Sequence, residues 1–147
     1  MVDTKVTLCG VELDNPVIPA SGTFGYGYEF AELYDINVLG TFSFKGTTLM
    51  PRFGNPTPRI AESKAGMLNA VGLQNPGVDK VIGEELPKLK TCFHKPVMAN
   101  VSGFSVEEYR EMQNKGWHVL TLGKRILRVS TAVVSALTLV NERAGEL

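Results

Sequence analysis

The clearest sign of the architecture is the stretch VLGTFSFK, residues 38–45. Its apolar residues run almost without interruption and end on Lys45, a pattern typical of a strand that is buried on both faces. The segments VIPA, residues 17–20, and KPVMANV, residues 95–101, have the same character. Buried strands of this kind, separated by helical segments, predict an α/β fold with parallel strands.

Working outward from these strands, the remaining elements are predicted from local signals. We predict helices at residues 29–34, 78–89 and 106–115, with Ser105 as the cap of the last one. Residues 5–8 and 11–13 predict a short β-hairpin ahead of the first buried strand. Beyond residue 115 the pattern does not repeat, and residues 116–147 are predicted as an unpatterned tail with no strand that ends in a polar cluster and with a helix of mixed faces over residues 129–143.

Polar residues and glycines lie just after the buried strands, at the points where the strands end. Ser21 and Gly22 come after the first strand, Lys45 and Gly46 after the second, and Asn100 lies at the end of the third. Parallel α/β folds bind ligands at the carboxyl ends of their strands. We therefore expect these groups to converge on one ligand-binding face.

A second concentration of ligand-binding chemistry is the stretch GMLNAVGLQNPG, residues 66–77. Its glycine density argues against a strand or helix and predicts a loop whose backbone can approach a flat ligand closely. Asn69 and Asn75 would offer amides that donate and accept at once. The alternative is a turn-rich connection packed on the core. Residues 46–59 carry three prolines and predict a long irregular segment, either a lid, a partner surface or a solvated loop.

The composition narrows the class of protein. The 147 residues include 15 basic and 15 acidic side chains, with a pI near 6.7, so neither nucleic acid nor an anionic membrane is indicated as a partner. The cysteines, Cys9 and Cys92, have no metal-ligand or CxxC spacing, and no metal site is expected. No signal peptide or membrane span is recognisable, which predicts a cytoplasmic protein.

Four motifs in order resemble one known family: residues 15–22, 45–48, 51–59 and 66–77. Over residues 4–113 the chain is similar to the N-terminal part of a class 1 dihydroorotate dehydrogenase, nearer to the NAD-linked class 1B type. The resemblance implies an FMN-containing (β/α)8 TIM barrel that oxidises dihydroorotate to orotate in de novo pyrimidine (UMP) biosynthesis. Residues 1–115 would be the first, incomplete part of that barrel after the β-hairpin, and residues 116–147 a tail translated out of frame.

Carried over position by position, the resemblance also implies roles for individual residues. The cofactor-binding residues would be Ser21, Lys45, Gly46 and Asn100. The substrate-binding residues would be Lys45, Asn69, Ala70, Val71, Gly72 and Leu73. In class 1B relatives the electrons leave through a second subunit, which carries FAD and an iron–sulfur cluster and reduces NAD.

The chain departs from the family at its catalytic base. The family uses a cysteine in an Asn-x-Ser-Cys-Pro-Asn motif beyond the position of Asn100, and no cysteine occurs after Cys92 here. The phosphate of the flavin normally rests on loops after strands 7 and 8 of such a barrel, which have no counterpart in the sequence. We therefore expect no catalytic base and no activity from this chain alone. The alternatives are a non-catalytic truncated remnant, or a flavin-binding module that needs a separately encoded remainder.

Overall fold

The computed structural model describes residues 2–119 and 137–140, and for residues 117–119 and 137–140 it describes the backbone alone. The strands are β1 (Val6–Leu8), β2 (Val11–Leu13), β3 (Ile60–Ser63), β4 (Gly66–Asn69), β5 (Met98–Asn100), β6 (Trp117–Val119) and β7 (Leu137–Val140). The α-helices are α1 (Tyr28–Ala31), α2 (Val78–Lys80), α3 (Leu86–Lys90) and α4 (Val106–Asn114), and a 3₁₀ turn covers Ile36–Val38.

The centre of the fold is a parallel pairing between residues 42–47 and the segment that contains β5. Bridges join Ser43 to Met98 and Thr47 to Val101, both parallel. Backbone N–H groups donate from Phe44 to Met98 O at 3.1 Å and from Thr47 to Asn100 O at 2.8 Å. The prediction of parallel strands is confirmed here. The strand predicted at residues 38–45 is nevertheless not regular, because Val38 ends the 3₁₀ turn and the following residues make only single bridges.

Aromatic side chains fill the core below this pairing. Phe42 is 0% exposed, and its ring centroid lies 4.9 Å from that of Phe24 and 5.2 Å from that of Phe93, both in edge-to-face geometry. Phe44 and Ile36 are also completely buried. Burial of one such side chain stabilises a fold by about 1.5–3 kcal/mol, so the continuous apolar run does hold the fold together.

The strand predicted at residues 17–20 is wrong. This segment has no strand partner within the described part of the chain. Its carbonyl groups accept two backbone bonds, from Gly40 N to Val17 O at 3.1 Å and from Thr23 N to Ala20 O at 3.2 Å. Pro16 precedes the segment and Pro19 lies within it, and a proline has no N–H to donate to a strand ladder. The segment is therefore extended without being part of a sheet.

The glycine-rich stretch at residues 66–77 is only partly a loop. Gly66–Asn69 form β4, which pairs antiparallel with β3 (Ile60 with Asn69, Ser63 with Gly66). The expectation that glycine excludes a strand is wrong for these residues, because Gly66 takes only the first position and the other glycines lie beyond the strand. The true loop begins at Ala70.

The helical predictions are confirmed with adjusted ends. The segment from Val78 to Lys90 is helical throughout, with a π-helical turn at Val81–Glu85 between α2 and α3. Helix α4 begins after Ser105, whose Oγ accepts the N–H of Glu108 at 3.2 Å. Helix α1 is shorter than predicted and ends at Ala31. The hairpin of β1 and β2 is confirmed, with Cys9 and Gly10 both at positive φ in its turn.

Within the described ranges, two strands follow residue 115, Trp117–Val119 and Leu137–Val140. Strand β7 lies between β5 and β6 and pairs antiparallel with both. The helix predicted over residues 129–143 is contradicted at Leu137–Val140, while its other residues lie outside the described ranges. Among the described residues, no helix combines the length and apolar character needed to cross a bilayer.

Candidate functional site

The ends of the parallel segments come together through one hydrogen-bonded chain. Asn100 Nδ2 donates to Ser21 Oγ at 2.8 Å, and the Ser21 hydroxyl donates to Phe44 O at 2.9 Å. All three residues are far apart in sequence, and the core places them at one edge of the fold. The predicted convergence of Ser21, Lys45, Gly46 and Asn100 is therefore present in the backbone arrangement, whereas their roles as ligands stay predictions.

Gly46 is the point where the 70–75 loop closes on this edge. A Cβ atom at residue 46 would lie 2.8 Å from Leu73 Cδ1 and 3.6 Å from Asn100 Nδ2. The first of these distances is too short for a real Cβ contact, so a larger residue at position 46 would require the Leu73 side chain to move. Leu73 and Gly46, assigned to substrate and cofactor by the resemblance, are thus direct neighbours.

Lys45 supplies the positive charge at this edge. Its backbone N–H donates to Gly25 O at 3.2 Å, and its side chain is half-buried. Within the described part of the chain, no carboxylate lies within ion-pair distance of its ammonium group. A partly desolvated lysine without a protein counter-ion suits an anionic ligand.

The proline-rich segment holds the first part of the loop. Ala70 N donates to Arg59 O at 2.8 Å, Asn55 N donates to Val71 O at 3.0 Å, and Asn55 Nδ2 donates to Ala70 O at 2.8 Å. Gly72 lies so close to Asn55 that an added Cβ would be 2.7 Å from its backbone nitrogen. Residues 70–72 are therefore fixed from one side.

The other side of the loop offers backbone N–H groups. Gly72 has φ +78° and Leu73 has φ +58°, both in the left-handed region. For Val71, Gly72 and Leu73, no acceptor of the amide N–H is found among residues 2–119. Successive N–H groups in a turn can bind an anion, in an arrangement known as a nest; residues 71–73 are called the nest below because their N–H groups are candidates for that role.

Asn75 does not have the role expected for it. Its side chain is 5% exposed and is bonded inside the protein. Oδ1 accepts the N–H groups of Thr48 and Gly77, each at 3.0 Å, while Nδ2 donates to Thr48 Oγ1 at 2.9 Å and to Leu73 O at 2.8 Å. The expectation that Asn75 offers its amide to a ligand is therefore wrong.

The remaining candidate, Asn69, lies at the exposed end of β4 next to Ala70, which is also exposed. The two arginines of the proline-rich segment serve the protein itself. Arg59 donates to Gln74 Oε1 at 2.7 Å and to Phe53 O at 2.9 Å, and the guanidinium of Arg52 lies 4.6 Å from the ring centroid of Phe104. Asn69 and Ala70 are the substrate candidates that the structure leaves least enclosed.

A separate hydrogen bond joins the part-buried Tyr28 to the buried Glu85. The hydroxyl of Tyr28 donates to Glu85 Oε2 at 2.7 Å, and Glu85 is 7% exposed. That hydrogen bond, and after it burial, raises the pKa of Tyr28 well above its usual range. Burial, and after it the nearby Glu85 carboxylate, raises the pKa of Tyr26 to about 12. Both phenols are therefore neutral at physiological pH.

Sequence reasoning missed Asn55 and Thr48 and misassigned Asn75. Each connects the loop to a segment 15 to 27 positions away, and no local pattern reports such partners. The run Gln74-Asn75-Pro76-Gly77 contains the one available signal, since an asparagine directly before Pro-Gly commonly bonds to the backbone of its own turn. In the described part of the chain, no cluster of histidine, cysteine and acidic residues has a metal-binding arrangement.

Comparison with known proteins gives a consistent result. The family described as "Dihydroorotate dehydrogenase" matches residues 3–121. The "Dihydroorotate dehydrogenase B (NAD(+)), catalytic subunit" of Streptococcus pneumoniae (strain ATCC BAA-255 / R6) is 58% identical over 106 residues, which cover 71% of this chain and 34% of that protein. The protein of the same name from Bacillus pumilus (strain SAFR-032) is 53% identical over 136 residues, covering 89% and 44%.

A solved structure shares the fold. The crystal structure of DHODH from Eimeria tenella in complex with ferulenol superposes with a TM-score of 0.53 at 21% identity, covering 74% of this chain and 32% of that one. At this identity the likeness concerns the fold alone. The chain spans about a third of the length of the Streptococcus relative.

Proposed function

The chain belongs to the dihydroorotate dehydrogenase family, and from that premise we propose that its residues form the substrate loop and one flavin-facing edge of a class 1B enzyme. Such an enzyme oxidises dihydroorotate to orotate in de novo pyrimidine biosynthesis, in the cytoplasm. Residues 1–115 are proposed as the first part of a (β/α)8 barrel. The boundary at residue 115, and the origin of residues 116–147, belong to the same proposal.

The observation that carries this proposal is that Leu73 of the nest packs against Gly46, the residue that follows Lys45. Orotate is a flat ring with one carboxylate. Within the described part of the chain, the three N–H groups have no acceptor and Lys45 has no counter-ion, and these groups would complement that carboxylate. A hydrogen bond to a charged group contributes about 1.5–3 kcal/mol. Lys45, Val71, Gly72 and Leu73 are thus proposed to hold the carboxylate, with Asn69 and Ala70 beside the ring.

The residues at the strand ends fit FMN by their chemistry. Asn100 uses its Nδ2 on Ser21, which leaves its Oδ1 without a donor among the described residues, and Gly46 has no side chain to block a flat ring. An acceptor, a hydroxyl and a lysine are groups that the polar edge of an isoalloxazine can bond. FMN, when bound, supplies the redox chemistry by accepting a hydride. Ser21, Lys45, Gly46 and Asn100 would hold and orient it.

Charge that develops on the substrate would be stabilised by groups already in place. The backbone of Lys45 and the loop that carries the nest amides are held by hydrogen bonds without a ligand, so little backbone reorganisation would be needed when negative charge grows. The base that removes the proton from the substrate is not supplied by these residues, since the cysteine motif is absent from the 147 residues.

That absence favours a second candidate, a binding part that acts together with separately encoded catalytic residues. The relatives are each named as a catalytic subunit, which fits the further proposal of a partner subunit. That partner would carry FAD and an iron–sulfur cluster and pass the electrons to NAD.

The test is a titration of the ¹⁵N-labelled chain with orotate and, separately, with uracil, the same ring without the carboxylate. We expect orotate to shift the amide resonances of Val71, Gly72 and Leu73, and uracil at the same concentration to leave them in place. Equal responses to both compounds, or none to orotate, would contradict the carboxylate site. A parallel FMN titration should shift Gly46 and Asn100 instead.

A further inference from the structure

We propose that Asn75 is a positioning residue, which holds the 71–73 nest in its anion-binding conformation without contacting the anion. The inference rests on the proposed function, because it concerns how the same site is kept in shape. Asn75 is almost completely buried, with 5% of its surface exposed, and therefore acts through the residues to which it bonds.

The bonds of Asn75 join the two halves of the site. One half is the loop, where Nδ2 donates to Leu73 O at 2.8 Å. The other half is the segment of residues 45–48. There, Asn75 Nδ2 donates to Thr48 Oγ1 at 2.9 Å, and Asn75 Oδ1 accepts the Thr48 N–H at 3.0 Å. In the same segment, Thr47 donates its N–H to Asn100 O at 2.8 Å. One side chain thus sets the position of the nest relative to both Lys45 and Asn100.

Leu73 shows why such a restraint is needed. Its φ of +58° lies in the left-handed region, which costs free energy in any residue with a Cβ atom. A leucine there is retained only when surrounding contacts compensate. The bond from Asn75 to the Leu73 carbonyl, together with the contact of Leu73 with Gly46, provides that compensation.

Asparagine is the residue that these bonds require, because they use a donor and an acceptor at the same end of a short side chain. Aspartate has the same size and keeps the acceptor for the N–H groups of Thr48 and Gly77, but it can donate neither to Leu73 O nor to Thr48 Oγ1. Asn75→Asp therefore keeps the bonds that Oδ1 accepts, including the one from the start of α2, and replaces the donor to Leu73 O and Thr48 Oγ1 with a carboxylate oxygen.

Two control variants separate positioning from other effects. Gln74→Glu adds a negative charge to the neighbouring residue and keeps an acceptor for Arg59, whose Nη1 donates to Gln74 Oε1 at 2.7 Å. Thr41→Val removes a hydrogen bond of a completely buried side chain, from Thr41 Oγ1 to Pro96 O, away from the loop. The first controls for charge and the second for loss of stability.

The experiment measures the whole chain by ¹⁵N relaxation and by orotate titration. We expect Asn75→Asp to lower the order parameters of the Gly72 and Leu73 amides without ligand, and to raise the Kd for orotate at least tenfold. Gln74→Glu should raise that Kd less than threefold, and Thr41→Val should lower the Tm with the Kd unchanged. Loop order in Asn75→Asp equal to that in Thr41→Val would overturn the inference.

Failure of the proposed function gives a different result. If orotate shifts no amide of the unaltered chain, the carboxylate site is wrong, yet the comparison of loop order still decides the role of Asn75. If Asn75→Asp does not fold, the role of Asn75 is tested by amide exchange in the unaltered chain. The side-chain amide protons of Asn75 must then exchange with solvent more slowly than those of the exposed Asn69, and equal rates would overturn the inference.

Discussion

At the scale of single residues, Lys45 is the side chain with the clearest consequence for binding. Lys45→Ala should weaken orotate binding about tenfold or more, because the loss of a charged hydrogen bond costs roughly 1.5–3 kcal/mol. The matched control is Lys64→Ala, which removes an exposed lysine from the turn between β3 and β4. Calorimetric titration with orotate checks the prediction, and a Kd within twofold of the unaltered chain would contradict the role given to Lys45.

Tyr28 and Glu85 give a prediction about stability and pH. Tyr28→Phe leaves a buried carboxylate without its 2.7 Å donor and should lower the free energy of unfolding by about 1–3 kcal/mol. Because the pKa of Tyr28 is raised in the folded state, its contribution is complete below the pKa of an unfolded tyrosine, about 10, and is lost as the pH rises through the raised value.

Denaturant unfolding at pH 7 and pH 11 tests this pH dependence. The loss of unfolding free energy in Tyr28→Phe, relative to the exposed control Tyr34→Phe, should be smaller at pH 11 than at pH 7. Absorbance at 295 nm should show Tyr28 and Tyr26 ionising after the exposed tyrosines. A Tyr28→Phe variant as stable as the control at pH 7 would mean that the buried hydrogen bond contributes nothing.

At the scale of elements, two glycines should respond oppositely to the same substitution. Gly83 lies in the π-helical turn, and a Cβ there meets nothing within 4 Å, so Gly83→Ala should stabilise the chain by about 0.4–1 kcal/mol. Gly72→Ala should destabilise it, since φ is +78° and the new Cβ would collide with Asn55. Thermal unfolding of both variants is the measurement, and a stabilising Gly72→Ala would show that the loop is free to move.

The elements also show what a sequence pattern can and cannot predict. The parallel core was predictable because residues 42–44 are buried on every side and their apolar run reflects that burial. The hairpin of β3 and β4 was not, since all eight of its residues are exposed and it has no alternation of apolar and polar positions. Residues 17–20 have the apolar composition of a buried strand but do not form one, which is consistent with the missing backbone N–H groups of Pro16 and Pro19.

At the scale of the whole molecule, the site depends on residues that meet only in the fold. The convergence of Gly46 and Asn100 was predictable, because parallel segments present their ends at one edge, whereas Ser21 follows a segment that is not a strand and joins them through its bonds with Asn100 and Phe44. The internal role of Asn75 was not, since it depends on Thr48, which lies 27 positions away. The roles of Lys45, Asn69 and the other candidates as ligands stay predictions.

The whole-molecule prediction concerns turnover. We expect the 147-residue chain alone not to oxidise dihydroorotate, and residues 1–113 joined to the remainder of a class 1B barrel to do so, since that remainder supplies the base. In this fusion, Asn69→Ala should raise KM more than it lowers kcat, because an amide beside the ring acts in both ground and transition states.

Dye reduction by dihydroorotate, with FMN and the electron-transfer subunit supplied, is the assay for both proteins. Turnover by the 147-residue chain would show that another residue serves as the base. A fusion that binds FMN but does not turn over would show that residues 1–113 do not form a working substrate site, which contradicts the prediction.

The parallel pairing at the centre of the molecule has a consequence for the order in which the chain folds. The bond from Thr41 to Pro96 spans 55 positions, and the neighbouring bridge of Ser43 to Met98 encloses a similar length of chain. Closing so long a loop is entropically costly and slow, whereas the β1–β2 and β3–β4 hairpins close locally. During synthesis, the hairpins can therefore form early, while Ser21, Gly46 and Asn100 are assembled only after residue 100 has left the ribosome.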